Sequence, residues 1–302
     1  MIRVALEPSQ PSEFVAAIEA EGAQVSPLGS GVEGLVWTEY SKPDLLASTL
    51  AENPQLTWVQ LPFAGVDAFA SILGANVTFT SAKGAYREPV AEHVLALCLA
   101  LGRAIPTRVR ATSWGHKFAV SLYESRVLIV GAGGITEEFL RLLAPFGCHT
   151  TVIRNEAKPV NGASETLTFE HLDGELPKAD FVVVAAALTE ETRGLFDASR
   201  LALMKSTAYL VNVARGGHIV TDDLVSALRN GVIAGAALDV TDPEPLPDGH
   251  ALWSERNCLI TPHTADTPQQ VTRLLAERIR ENVRAFSGKG AWVGLVDPIK
   301  GY

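Results

Sequence analysis

Three unlike ionisable side chains, Arg215, Glu244 and His263, each stand just past an apolar run that reads as a strand. Arg215 follows Tyr209-Leu-Val-Asn-Val-Ala; Glu244 follows Ala236-Ala-Leu-Asp-Val and lies within Pro243-Glu-Pro-Leu-Pro; His263 follows Leu259-Ile-Thr-Pro. The carboxyl ends of strands in an open α/β sheet are where ligands bind, so one predicted edge carries all three. An imidazole there can give a proton to a carbonyl oxygen and take it back. A carboxylate beside the ring favours its charged form and orients it, while a guanidinium fork grips a carboxylate or polarises a keto oxygen. Taken singly, each has a plainer role as turn histidine, solvated loop acid or surface cation. Their joint placement is what points to a reaction centre.

A second constellation lies upstream. Val127-Leu-Ile-Val runs into Gly131-Ala-Gly-Gly-Ile-Thr136, and a helical pattern follows. Such a loop turns tightly at one glycine and lets a pyrophosphate approach the backbone at another, with the phosphates resting on the helix N-terminus. Gly131, Gly133, Gly134 and Ile135 are the residues expected at the cofactor. Thr136 replaces the usual third glycine, and its β-branched side chain is expected to push the helix from the strand or change its packing. Where an acid usually binds the ribose 2′-hydroxyl, the chain reads Val152-Ile-Arg-Asn, with no acid until Glu156. Arg154 would attract a 2′-phosphate, which favours NADP(H) and leaves NAD(H) as the alternative.

The elements that must position these groups follow from periodicity. Short apolar runs at 2–6, 35–37, 57–59 and 77–80 predict strands, and 12–20 and 43–51 predict helices, giving a small α/β domain with a mainly parallel sheet. A long helical pattern begins near Glu88 and runs to about Arg110, with Pro106 expected to kink or end it. Six further strands are predicted at 126–130, 151–153, 180–184, 208–213, 234–240 and 258–261, with helices best marked at 137–144 and 222–229. That spacing matches a doubly wound dinucleotide-binding sheet. A last helix over 268–286 is expected to cross back, so that the tail to 302 completes the first domain. The expected fold is α/β in two domains with a cleft between them. Residues 1–97 with 270–302 form a flavodoxin-like substrate domain, and 98–269 form a Rossmann-type dinucleotide-binding domain.

Composition narrows the function classes. Of 302 residues 47% are hydrophobic and 20% charged, the profile of a globular protein, and the length suffices for two cores. A net charge of −9 argues against a nucleic-acid-binding face, which needs clustered Lys and Arg. Cys98, Cys148 and Cys258 are scattered without metal-type or C-x-x-C spacing, so no metal site is expected. No uncharged apolar run approaches the ~20 residues of a membrane span, and the N-terminus lacks a signal-peptide pattern. A cytoplasmic location is expected.

The chain resembles the D-isomer-specific 2-hydroxyacid dehydrogenase family. The resemblance is carried by the 131–136 loop, Ala187-Leu-Thr-Glu-Glu-Thr-Arg-Gly-Leu, Val211-Asn-Val-Ala-Arg-Gly-Gly, Ala237-Leu-Asp-Val, Pro243-Glu-Pro-Leu-Pro and Ile260-Thr-Pro-His-Thr-Ala. It implies a hydride transfer between NAD(P)H and a small 2-keto or 2-hydroxy acid, of the glyoxylate or hydroxypyruvate type. It implies Arg215, Glu244 and His263 as the catalytic trio, Asp239 at the nicotinamide carboxamide and Thr192 on the cofactor side. Leu61-Pro-Phe-Ala-Gly-Val-Asp is similar to the family loop whose amides hold the substrate carboxylate, which names Ala64, Gly65 and Val66 beside Arg215 and His263. Lys83-Gly-Ala-Tyr and Val90-Ala-Glu-His-Val-Leu-Ala-Leu resemble the start of the family's interdomain helix. A homodimer is implied, with 103–123 reaching the partner. Phe63, Tyr86, Trp114 and Trp253 are candidate pocket walls, although aromatics more often serve as core. Thr136, Arg154 and Ala187, where proline is common, depart from the family pattern. The competing readings are a non-catalytic dinucleotide sensor or corepressor, which would lose His263 or Glu244, and a methyltransferase, which would leave both without a task.

Overall fold

The computed structural model describes residues 2–298 apart from Ser41 and Ala75. It divides into two compact units, residues 1–86 with 267–302 and residues 87–266.

Within the described residues of the first unit, five parallel strands lie in the order β2-β1-β3-β4-β5. They are β1 (Arg3–Glu7), β2 (Gln24–Val25), β3 (Gly34–Trp37), β4 (Trp58–Gln60) and β5 (Thr78–Thr80), with α1 (Ser12–Glu19) and α2 (Pro43–Glu52) between them. This is the flavodoxin-like strand order. Trp37, Leu46, Val59, Leu61, Phe69 and Phe79 fill its core. A buried polar group holds the end of β4. The Gln60 amide donates to the Leu61 carbonyl (2.8 Å), while its Oε1 accepts from Thr80 (2.8 Å) and from Asn282 (2.7 Å). The predicted strands shift by about a residue, and the two-residue β2 carries too little pattern to be read from sequence.

The second unit contains α3 (Arg87–Gly102), α4 (Ile105–Val109), β6 (Arg126–Val130), α5 (Gly134–Leu143), β7 (His149–Arg154), β8 (Glu165–Thr168), α6 (Leu172–Glu175), β9 (Phe181–Val184), α7 (Ala198–Leu203), β10 (Tyr209–Asn212), α8 (Thr221–Arg229), β11 (Gly235–Leu238) and β12 (Cys258–Ile260). Its seven described strands are parallel in the order β12-β11-β10-β9-β6-β7-β8. From β6 this is the doubly wound pattern, with the chain reversing its direction of spread between β6 and β9. β9 and β11 are buried at every residue, as strands covered on both faces must be. The seventh strand, β8, was not expected: Glu165-Thr-Leu-Thr is a half-buried edge strand with one aliphatic residue and gives little period-2 signal.

The helical pattern from Glu88 to Arg110 is interrupted near Pro106, as expected, with the break at Ala104, which turns left-handed at φ 55°, so that Pro106 sits in the first turn of α4. A proline ring clashes with the carbonyl four residues back, so one helix cannot pass through this point. The boundaries also move from 97 and 269 to 86 and 266, which leaves α3 whole within the second unit. After β12, the last helix α9 (Pro268–Phe286) returns to the first unit. It starts with a capping box in which the Thr267 hydroxyl accepts from the Gln270 amide, and Val296 beyond it is part of the first unit's core. Residues 299–302, the end of the predicted tail, lie outside the described residues.

Candidate active site

Because the second sheet is parallel, the loops after β6, β10, β11 and β12 emerge at one edge. They carry the glycine loop, Arg215, Glu244 and His263 respectively.

The glycine loop fits a dinucleotide by its backbone. Gly131 has φ 110°, and a Cβ there would lie 2.4 Å from the Ala185 carbonyl oxygen, so β6 and the β9 loop meet only through glycine. A Cβ on Gly133 would meet nothing within 4 Å, which leaves its exposed face open to a ligand. Gly133 is also the N-cap of α5 and brings no capping side chain, so the first amides of α5, at Gly134 and Ile135, are unspent by a side-chain cap at the positive end of the helix dipole. Thr136 does not act as expected. It is fully buried, and its hydroxyl donates to the Gly131 carbonyl at 2.9 Å, tying the helix to the loop. Arg154 ends β7 beside this loop, one residue past Ile153, whose carbonyl accepts from the Gly131 amide at 2.8 Å. Its guanidinium donates to the Lys158 carbonyl. Thr192 uses its hydroxyl inside the loop after β9, donating to the Ala187 carbonyl and accepting from the Thr189 amide, both at 2.8 Å. These features fit a bound nicotinamide dinucleotide.

Arg215 is set by two residues to which the sequence reading assigns no role. Asn212, fully buried, accepts from the Ala214 amide and donates to the Arg215 carbonyl. His218, also buried, bridges the Arg215 and Ala187 carbonyls at 2.9 and 3.3 Å. At Gly216 a Cβ would lie 2.0 Å from the Thr241 carbonyl, so this glycine allows the Arg215 loop to press on the loop bearing Glu244. The Arg215 guanidinium itself donates to the Ala214 carbonyl.

Glu244 and His263 meet directly, Oε1 to Nδ1 at 2.6 Å, with both side chains substantially exposed. A carboxylate only accepts, so Nδ1 carries the hydrogen and Nε2 is left to exchange a proton. Glu244 Oε2 accepts from the Thr241 amide. His263 adopts φ 50°, a left-handed backbone uncommon outside glycine, and its amide donates to the Asp239 and Thr261 carbonyls.

Asp239 underlies that turn. Only 2% exposed at the end of β11, it accepts at Oδ1 from the Thr261 hydroxyl (2.6 Å) and the Thr264 amide (2.9 Å), and at Oδ2 from the Ala265 amide (3.2 Å). His93 Nε2 in α3 lies 3.3 Å from Oδ1 and 3.0 Å from the Thr261 hydroxyl. Burial pushes the Asp239 carboxyl up, but the donors of His93, Thr261 and Thr264 outweigh it and hold it below the ordinary value. Neighbouring Asp266 is pushed the other way by burial, against the lowering influence of His263.

In the first unit, Ala64, Gly65 and Val66 form the loop after β4. Their amides donate to no backbone carbonyl among the described residues, and the loop is tied down by the Ala82 amide on the Phe63 carbonyl and the Tyr86 hydroxyl on the Pro62 carbonyl, both at 2.8 Å. Tyr86 is thus buried support, and Phe63 packs on Tyr40 at 4.5 Å between ring centroids. Trp253 donates to the Pro247 carbonyl beside the Glu244 loop. Trp114 is 92% exposed and lines nothing in the isolated chain. Among the described residues, no group of three His, Cys, Asp or Glu is placed to hold a metal.

A doubly wound sheet with a glycine loop at its reversal point and an imidazole–carboxylate pair on the same edge defines a dinucleotide-dependent oxidoreductase. Comparison with known proteins agrees. Residues 93–265 match the family described as "D-isomer specific 2-hydroxyacid dehydrogenase, NAD binding domain". The chain is 40% identical to an uncharacterized protein in the proB 3′ region of Corynebacterium melassecola, over 84% of this chain and 85% of that one. It is 33% identical to a glyoxylate reductase of Aeropyrum pernix, over 79% and 75% respectively. A D-isomer specific 2-hydroxyacid dehydrogenase of Xanthobacter autotrophicus Py2, solved with NADPH and MES, superposes with a TM-score of 0.85 at 30% identity, covering 99% of both chains. The chain belongs to the D-isomer specific 2-hydroxyacid dehydrogenase family. It is an NAD(P)-dependent enzyme that moves a hydride between the cofactor and a small 2-keto or 2-hydroxy acid.

The Asp239 carboxyl carries a pH dependence whose sign is fixed. A folded-state value below the unfolded one contributes stability that is present above about pH 4 and lost as pH falls through the lower folded value. Asp239→Asn should cost about 1–3 kcal/mol at neutral pH, because an amide donor then faces donors. Denaturant unfolding from pH 7 to pH 3 should show that gap narrowing below about pH 4; a gap constant across the range would contradict the account.

Proposed function

We propose that the chain reduces a short 2-keto acid such as glyoxylate or hydroxypyruvate, with NADPH preferred as donor. The observation that carries this is the 2.6 Å pair of His263 and Glu244 on the sheet edge that also bears the glycine loop. The substrate class is supported by the relationship to the Aeropyrum pernix glyoxylate reductase.

Reduction of a keto group places a hydride on the carbon and a proton on the oxygen. A nicotinamide bound at the glycine loop would supply the hydride. His263, with Nδ1 held by Glu244, gives the proton from Nε2 and recovers it in the reverse direction. Glu244 orients the ring by accepting from Nδ1. Arg215 offers its guanidinium to the substrate carboxylate or keto oxygen. Ala64, Gly65 and Val66 are assigned to the carboxylate because their amides are available and Gly65 allows close approach. Gly131, Gly133, Gly134 and Ile135 take the pyrophosphate. Asp239 Oδ2, meeting a single donor among the described residues, is assigned to the carboxamide nitrogen. Thr192 acts by shaping its loop. The three cysteines are free, which suits a reducing cytoplasm.

Trp114, Val109, Tyr123, Phe118 and Ile105 are exposed apolar side chains that all fall within 105–123. We assign this segment to a homodimer contact, since monomers rarely expose such a concentration. Trp114→Arg combined with Val109→Asp should convert a dimer to a monomer in sedimentation; a wild type that sediments as a monomer at micromolar concentration would refute it.

Two kinetic outcomes test the reaction. His263→Gln should lower kcat by about 10²- to 10⁴-fold on a panel of 2-keto acids, followed by NADPH absorbance. Retention of wild-type kcat would remove His263 from the chemistry. Arg154→Asp should move the kcat/KM ratio toward NADH by about 10- to 100-fold, the size of one charge-assisted contact. An unchanged ratio would show that Arg154 does not read the 2′-phosphate.

A further inference from the structure

We propose that His93 is a positioning residue that locks the His263 turn through Asp239 and Thr261. The inference rests on His263 as the proton-transfer group.

His93 is on α3, a 16-residue helix packed against α5, β10 and β11. Its Nε2 stands 3.0 Å from the Thr261 hydroxyl and 3.3 Å from Asp239 Oδ1. The single hydroxyl proton of Thr261 already goes to Asp239 Oδ1 at 2.6 Å. Both oxygens facing Nε2 are therefore acceptors toward it, and Nε2 must carry a hydrogen. His93 thus donates into a closed triangle with Thr261 and Asp239. Asp239 in turn accepts from the amides of Thr264 and Ala265, and its carbonyl accepts from the amide of His263. Those contacts, with the His263 amide on the Thr261 carbonyl, hold the left-handed backbone of His263, a conformation that costs about 1–3 kcal/mol for a residue other than glycine. His93 connects the turn to a rigid helix, so that Nδ1 stays on Glu244.

Removing the partners that orient metal ligands changes affinity or activity about 10- to 100-fold, and a loss of the same size is expected for a group that orients His263. His93→Leu should lower kcat by about that factor, shift the pH profile of kcat and lower the thermal midpoint, since buried Asp239 loses one of its donors. His93→Gln places an amide N–H near the Nε2 position and should recover most of the kcat and the wild-type profile. If the leucine variant does not fold, His93→Asn replaces it, because its shorter amide falls short of Thr261; it should stay well below glutamine. Wild-type kcat and profile in the leucine or asparagine variant would overturn the proposal. So would equal losses in the glutamine variant and the shortened or apolar one. His263→Gln separates the two levels. If it is inactive while His93→Leu is unaffected, only the positioning role falls; if it retains activity, the reading of His263 itself falls.

Discussion

A carboxylate removed from water is costly unless enough donors replace the solvent, and Asp239 is placed where that condition is met. The Thr261 hydroxyl, the Thr264 and Ala265 amides and the His93 imidazole converge on it. The same contacts bind the strand end of β11 to the turn after β12. Without them the turn would have no reason to hold His263 in a left-handed conformation. With them, the imidazole is aimed at Glu244 on the adjoining loop, and the pair forms at 2.6 Å. The ion, the turn and the imidazole–carboxylate pair are therefore one arrangement.

Close backbone approach supplies the other half of the site. Gly131 lets the first turn of the sheet pass against Ala185, and Gly216 lets the Arg215 loop lie on Thr241. In both places a Cβ would fall inside van der Waals contact with main-chain atoms, which cannot swing aside as a side chain can. At the third glycine position the need is different. Thr136 fits because its hydroxyl satisfies the Gly131 carbonyl, so a residue that departs from the usual pattern strengthens the loop it was expected to distort.

Much of the architecture was legible. The strands with continuous aliphatic runs, β6, β9, β10 and β11, were located to within about two residues, as was the order of the motifs at their ends. The failures share a cause. β8 is an edge strand with a weak pattern and β2 is two residues long, while the break expected at Pro106 falls two residues earlier, at Ala104. His93, Asn212 and His218 were not singled out, since each acts on backbone or side chains distant in sequence.

Sequence by itself determined the chemistry on offer: an imidazole, a carboxylate and a guanidinium after successive strands, a glycine turn into a helix, and an arginine where an acid is usual. Residue type and local period carry that information, because proton exchange, charge and backbone freedom belong to the residue itself. Tertiary structure decided which partner each group meets: Glu244 for His263, His93 and Thr261 for Asp239, and Gly131 for Thr136. Those pairings depend on parallel strands bringing distant loops to one edge, and hydrogen bonds, being short and directional, exist only once that edge has formed.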